Sequence, residues 1–274
     1  MIAHRTRLVF VDLDGTLFDR TQRPPESAVR ACRDAVGAGH TLMLCTGRSV
    51  PEIYPWVWDL GFAGIIGAAG AYVRVGEDVL LDRRIGAQDI RRITTVWDDV
   101  DGMWIWQGPD AMHPKPGYMS AFLATAGESD GDWADYADSV GPFVRTGLPE
   151  SSSKCTVYIP SDRADLEALR PRMPEGFQVI GGSVGAGDAL AVELMPDDIS
   201  KGTGIRLVCE RLEVDVAETI AIGDSTNDID ALRTAGTGVA MGGSADEVLS
   251  VADLVAPRID EDGFAWAFAE LDLI

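Results

Sequence analysis

The chain has 274 residues, of which 46% are hydrophobic, 24% charged and 7% aromatic, a globular composition long enough for one large domain or two smaller ones. Its 23 Lys plus Arg stand against 44 Asp plus Glu, for a formal charge of −21. That balance argues against duplex DNA, RNA or an anionic membrane as partner, because each needs a basic face.

The first apolar run, Leu8–Val11, is four residues long and stops at Asp12, too short for a signal-peptide core or a membrane span. It opens an alternation of short apolar runs and helical patterns: strands at 8–11, 41–45 and 65–68, helices at 26–36 and 52–60. That order predicts a parallel sheet built from βαβ units. The texture then changes, with strands expected at 79–81, 103–106, 154–159 and 177–180 and helices at 88–97 and 162–173. Glycine-rich stretches at 127–131 and 181–187 read as loops or linkers. Near the end the first texture returns: helices at 201–212, 228–235 and 246–251 around strands at 219–222 and 238–241. The two ends therefore read as halves of one doubly wound parallel α/β sheet. Residues 1–82 and 189–274 form the expected core, and residues 83–188 an inserted α+β domain hinged near 82–86 and 181–187.

The four cysteines, Cys32, Cys45, Cys155 and Cys209, form no Cys-x-x-Cys pair and have no local histidine partner. Neither a disulfide framework nor a zinc site is expected, and a reducing cytoplasm is the expected location. Acidity is concentrated at the end, with 5 basic against 18 acidic residues in 191–274. Only Lys115, Lys154 and Lys201 are lysines, so each is informative.

Chemistry gathers at strand ends. Asp12-Leu13-Asp14-Gly15-Thr16 follows the first strand, at the edge where open α/β sheets place their ligands. Alternation puts Asp12 and Asp14 on one side of the chain, and carboxylates that close repel unless a cation or a proton intervenes. Gly15 allows a sharp turn that exposes amides to an anion; an acidic turn closing a strand is the plain alternative. Gly223-Asp224-Ser225-Thr226-Asn227-Asp228 leaves the same edge after the strand at 219–222. Hard oxygen ligands from two such loops suit Mg²⁺, while helix capping by Ser225, Thr226 or Asn227 is a compatible reading. Thr46-Gly47-Arg48 offers a hydroxyl, a flexible backbone and a guanidinium for a phosphate, or simply a polar turn with a surface arginine. Lys201 opens a helix without the Gly-x-x-x-x-Gly-Lys pattern of a P-loop.

In this order, Asp12-x-Asp14-x-Thr16, Thr46, Lys201 and Gly223-Asp224-x-x-Asn227-Asp228 resemble the four motifs of the haloacid dehalogenase superfamily of phosphohydrolases. The Thr46-Gly47-Arg48 and Ser200-Lys201-Gly202 forms, with the large insert between the second and third motifs, resemble its Cof-like branch. The resemblance covers residues 8–82 and 190–256 and implies a Rossmann-like core carrying an α/β cap.

It further implies that Asp12 is a nucleophile forming an aspartyl-phosphate and that Asp14 is the general acid, then base. Thr46 and Lys201 would bind phosphoryl oxygens, with Gly15, Thr16, Gly47, Arg48 and Asn227 around the substrate. Mg²⁺ would be held by Asp12, the Asp14 carbonyl and Asp224, with Asp228 and Asn227 ordering its waters and the lysine. Two departures stand near the mouth of the site: Ala69-Gly70-Ala71 where the family commonly has Asn-Gly-Ala, and Gly243 where Asn is usual. In the insert, Trp104 and Trp106 fall on one face, as domain core or as a platform for a sugar ring, and His113 is expected in a loop. The expected function is a cytoplasmic, Mg²⁺-dependent phosphatase for a small phosphorylated metabolite, a sugar phosphate first. A phosphomutase or a non-catalytic relative are the alternatives.

Overall fold

The computed structural model describes residues 6–126, 134–182 and 189–274, and the chain divides into two compact units. One comprises Met1–Gly47, Pro55–Leu81 and Ser200–Ile274; the other comprises Arg48–Tyr54 and Asp82–Ile199.

The first unit is organised by an eight-stranded sheet in the order Leu254–Val255, Thr237–Ala240, Thr219–Gly223, Leu8–Val11, Thr41–Cys45, Phe62–Gly67, Tyr72–Val75, Asp78–Asp82. The first six strands run parallel, and Tyr72–Val75 turns back antiparallel. All four residues of Leu8–Val11 are buried, as expected of a central parallel strand covered on both faces. Helix Glu26–Gly37 starts after Pro25, where a missing N–H costs nothing, and buries Ala28, Ala31, Cys32 and Ala35 at helical spacing. Helix Lys201–Leu212 is held at its start by a capping box: Ser200 Oγ accepts from the Thr203 amide at 3.1 Å, and the Ser200 amide donates to Thr203 Oγ1 at 2.9 Å. Its inner face buries Ile205, Val208 and Cys209 in a cluster with Phe10, Met43 and Ile66.

The second unit carries a five-stranded antiparallel sheet in the order Phe177–Gly181, Ala189–Pro196, Lys154–Pro160, Met103–Gln107, Met112–Pro114. Helix Ala87–Asp99 packs on it through Ile90, Ile93 and Trp97. Trp104 and Trp106 share that core, and their indole N–H groups donate to Asp98 Oδ1 and Thr94 Oγ1, each at 3.0 Å. They are core residues, not a platform for a ring. His113 lies on a strand, not in a loop, with Nδ1 2.9 Å from the Gly147 carbonyl oxygen.

Several expectations need correction. Residues 52–60 are not an α-helix: Pro51 and Pro55 break the run into the 3₁₀ turns Val50–Glu52 and Pro55–Leu60. Pro171 likewise limits 162–173 to Leu166–Leu169 followed by the 3₁₀ turn Arg170–Arg172. Strand Ala189–Pro196, read from the sequence as the return to the core, pairs with both Lys154–Pro160 and Phe177–Gly181 and belongs to the second unit. Phe177–Gly181 and Ala189–Pro196, on either side of the expected hinge, are therefore neighbours in one sheet. Residues 127–131, 183–187 and Trp133 lie outside the described residues. The four cysteines are buried and free. Among the described residues no helix is long and apolar enough to cross a membrane.

Candidate active site

Parallel pairing fixes the site. Leu8–Val11 pairs with Thr219–Gly223 on one side and Thr41–Cys45 on the other, so Asp12, Asp224 and Thr46 leave three adjacent strands at the same sheet edge. The ladder extends one step into the first loop: the Asp12 amide donates to the Ile222 carbonyl at 3.0 Å. Thr46 is anchored by its amide to Ile66 O at 2.8 Å and by its carbonyl, which accepts from Ala69 at 3.1 Å. Asp12, Thr46, Lys201 and Asp228 are all buried.

Lys201, the first residue of its helix, places Nζ 2.7 Å from Asp12 Oδ1 and 2.5 Å from Asp228 Oδ1. Asp228 Oδ2 accepts from the amides of Asp224 and Ser225 at 3.1 and 3.0 Å, which sets the geometry of the third loop. Thr16 Oγ1 donates to Asp224 Oδ1 at 3.1 Å, tying the first loop to the third. Gly15 has φ +85°, and a Cβ there would run into the Asp224 carboxylate, so the close approach of these loops requires glycine. Asn227 accepts from Ser225 Oγ at 3.1 Å in the 3₁₀ turn Thr226–Asp228. Ser225 is thus the N-cap of the 3₁₀ turn Thr226–Asp228, while the helix that follows, Ile229–Thr234, starts at Asp228 with no side-chain cap.

Charge in the cluster is unbalanced. Burial pushes the Asp12 carboxyl well above the usual carboxylate range, and Asp228 and Asp224 push it further, against the pull of Lys201. Burial and Asp228 raise Asp224 to about 7. Burial lowers Lys201, yet Asp12 and Asp228 more than offset it and hold the ammonium charged. Three carboxylates therefore share one cation and call for another. Asp12, Asp224 and Asp228 each offer an oxygen within 4.8 Å of the others, a hard, all-oxygen donor set that fits Mg²⁺. Asp14 is not in that carboxylate group; the resemblance gives it a backbone ligand, and its loop is closed by Gly15 N donating to Phe18 O at 2.9 Å.

Arg48 groups with the second unit. Its Nη1 donates to Glu52 O at 3.1 Å and its guanidinium lies 5.3 Å from the Tyr54 ring centre. Glu52 accepts from Ser49 Oγ at 2.7 Å, Gln107 Nε2 at 3.0 Å and Tyr136 Oη at 2.9 Å. Sequence pattern missed this buried network, because its members come from three separate segments. At the edge of the first unit's sheet, Ala68 and Ala69 both adopt positive φ, 49° and 56°. That is a conformation Asn tolerates better than Ala.

A family model described as haloacid dehalogenase-like hydrolase matches residues 9–268. A Bacillus subtilis (strain 168) protein named "Putative phosphatase YkrA" is 28% identical over 98% of this chain and 99% of its own. Among solved structures, the HAD subclass IIB sugar phosphatase BT4131 matches with a TM-score of 0.78 at 24% identity, covering 98% of this chain and 100% of its own. BT1666 from Bacteroides thetaiotaomicron, a phosphatase of the same superfamily, matches with a TM-score of 0.77 at 23% identity, covering 99% and 97%. At these identities the structural likenesses establish the fold.

Proposed function

The chain belongs to the haloacid dehalogenase-like hydrolase family, and from that premise we propose that it is a Mg²⁺-dependent phosphatase for a small phosphorylated metabolite, a sugar phosphate first. The observation that carries the reading is the buried Lys201 ammonium bridging Asp12 and Asp228 beside Asp224. A relative named as a putative phosphatase and a fold neighbour named as a sugar phosphatase support the substrate class.

Asp12 is the nucleophile. A carboxylate oxygen bonds to phosphorus as the ester oxygen leaves, and Asp14 gives that oxygen its proton, yielding the alcohol and an aspartyl-phosphate. Asp14, now a carboxylate, takes a proton from water as the water oxygen bonds to phosphorus; the phosphorus–Asp12 bond breaks and phosphate departs. Lys201 and Thr46 hold phosphoryl oxygens, and the turn at Gly15 and Thr16 presents backbone toward them. Gly47, Arg48 and Asn227 are assigned to the substrate. Asp12, the Asp14 carbonyl and Asp224, with Asp228 alongside, would hold Mg²⁺, which would supply the positive charge that lets an anion approach three carboxylates.

The test is a phosphate-release screen over phosphorylated metabolites with and without Mg²⁺. One phosphate per substrate consumed is expected, and Asp12→Asn should lose at least about a thousandfold in kcat while staying folded. No turnover of any phosphoester, or undiminished turnover in Asp12→Asn, overturns the reading. Isomerised product without phosphate would move the chain to the mutases.

A further inference from the structure

Gly243, the departure noted after Ala240-Met241-Gly242, lies in the wall of a cavity of about 220 Å³. The cavity belongs to the first unit and is lined also by Gly15, Asp19, Arg20, Asp224 and Arg258, so it adjoins the carboxylate cluster. Gly243 has φ +90°, and a Cβ there would stand 2.8 Å from Arg258 Nη1. The guanidinium thus occupies the volume that a side chain at 243 would take.

The hydrogen-bonding state of the wall is one-sided. Asp19 Oδ1 already accepts from the Thr21 amide and hydroxyl at 2.8 and 2.6 Å. Asp260 Oδ1, also in the wall, accepts from Arg258 Nε at 3.1 Å. Arg258 uses only Nε in this way; among the described residues its two Nη groups have no partner, and Arg20 has none at all. Two guanidinium groups with open N–H donors therefore face one cavity, whose wall also carries Asp19, Asp224 and Asp260. A guanidinium presents paired donors in a fixed plane and matches phosphate or carboxylate oxygens.

We propose that this cavity is a second oxyanion subsite, in which Arg258 and Arg20 bind a phosphate or carboxylate group, with Gly243 leaving the space Arg258 needs. Resting on the phosphatase reading, the proposal makes the occupant either a second anionic group of the substrate or the released phosphate. Arg258 is then a specificity residue of this chain, and its presence is tied to the loss of a side chain at 243.

Wild type, R258Q, G243N and the double variant are compared on the mono- and bisphosphorylated forms of one sugar, with inorganic phosphate as inhibitor. Asn tolerates positive φ, so G243N displaces the guanidinium with little backbone strain. If the occupant is part of the substrate, kcat/KM for the bisphosphate relative to the monophosphate falls about tenfold in each single variant. If it is free phosphate, the inhibition constant rises about tenfold against both substrates. In either case the double variant moves no further than the singles, because both remove the same contact. Ratios and inhibition constants that all stay within about twofold of wild type overturn the subsite. Should R258Q lose its cooperative melting transition, R258K takes its place, with a smaller shift in the same direction expected and none overturning the proposal. If the wild type turns over no phosphoester, the phosphatase reading has failed, and calorimetric titration with phosphate in Mg²⁺ decides the subsite alone. Weaker binding by R258Q then keeps it, and identical isotherms remove it.

Discussion

Lys201→Met removes the one ammonium between Asp12 and Asp228 while roughly keeping the side chain's volume. The lysine side chain is 0% exposed and its contacts are 2.7 and 2.5 Å, so solvent cannot replace what is lost. Taking one partner from a buried ion pair costs about 3–5 kcal/mol, mainly because the remaining charge is left uncompensated. Here two carboxylates are left, and Asp224 repels both, so about 4 kcal/mol at pH 8 in chelator is a conservative expectation. For a unit of this size each kcal/mol moves the melting temperature by about 2–4 °C, giving a fall of about 8–16 °C. The sign with pH follows from the raised carboxyl pKa values of Asp12 and Asp224. A carboxyl raised above its unfolded value costs nothing while protonated in both states. It destabilises the fold as pH climbs from about 4 through the raised value. Without Lys201 that repulsion grows, so the deficit should widen from pH 5 to pH 8. Added Mg²⁺ should close part of it, since a cation that binds only the folded state stabilises it. Differential scanning calorimetry in chelator and in Mg²⁺ at both pH values measures all of this. A Lys201→Met variant melting within about 2 °C of wild type at pH 8 in chelator would refute the reasoning.

Other outcomes follow from the same geometry. Gly15→Ala puts a methyl group into the Asp224 carboxylate from a backbone at φ +85°, so a loss of about 2 kcal/mol or more is expected. Weaker Mg²⁺ binding should accompany it, read by denaturation and metal titration; wild-type values in both would contradict the close packing of the two loops. Ala69→Gly relieves a left-handed residue at φ 56° and should stabilise the first unit by about 1 kcal/mol, seen as a higher melting temperature. Chelation should abolish phosphate binding as well as turnover, because three carboxylates would then face the anion with one ammonium; unchanged affinity in chelator would count against this.

Much of the fold was legible because its signals are local. Leu8–Val11 and Thr41–Cys45 are continuous apolar runs ending at polar turns, and helix Lys201–Leu212 begins at a capping serine, so these segments agree with the sequence expectations residue for residue. The acidic loops could be assigned to one sheet edge because parallel topology leaves no other place for them. What failed was of two kinds. Pro55 and Pro171 sit inside helical hydrophobic patterns, where the missing N–H decides against the helix. Strand Ala189–Pro196 has the burial of an antiparallel core strand, but its partners, Lys154–Pro160 and Phe177–Gly181, precede it in the chain. Its membership of the second unit depends on pairing that no periodicity encodes. The Glu52 network and the Arg258–Gly243 contact were illegible for the same reason: each is a coincidence in space of residues far apart in sequence.

The charge of −21 bears on both sites in one way. Acidic residues outnumber basic ones most in the segment that supplies Asp224, Asp228, Lys201 and Arg258, so the long-range field there opposes an incoming dianion. Screening reduces that opposition beyond roughly 10 Å at ordinary ionic strength, but inside the cluster the three carboxylates act nearly unscreened. The local sign must therefore be reversed by groups in contact with the anion. Lys201 shares its one charge between Asp12 and Asp228, so the rest would have to come from a cation held at the carboxylates and from the guanidinium groups of Arg20 and Arg258 beside them. Arg258 is one of only five basic residues in 191–274, and beyond its Nε contact to Asp260 its guanidinium stands with that of Arg20 at the cavity where an anion would complete them.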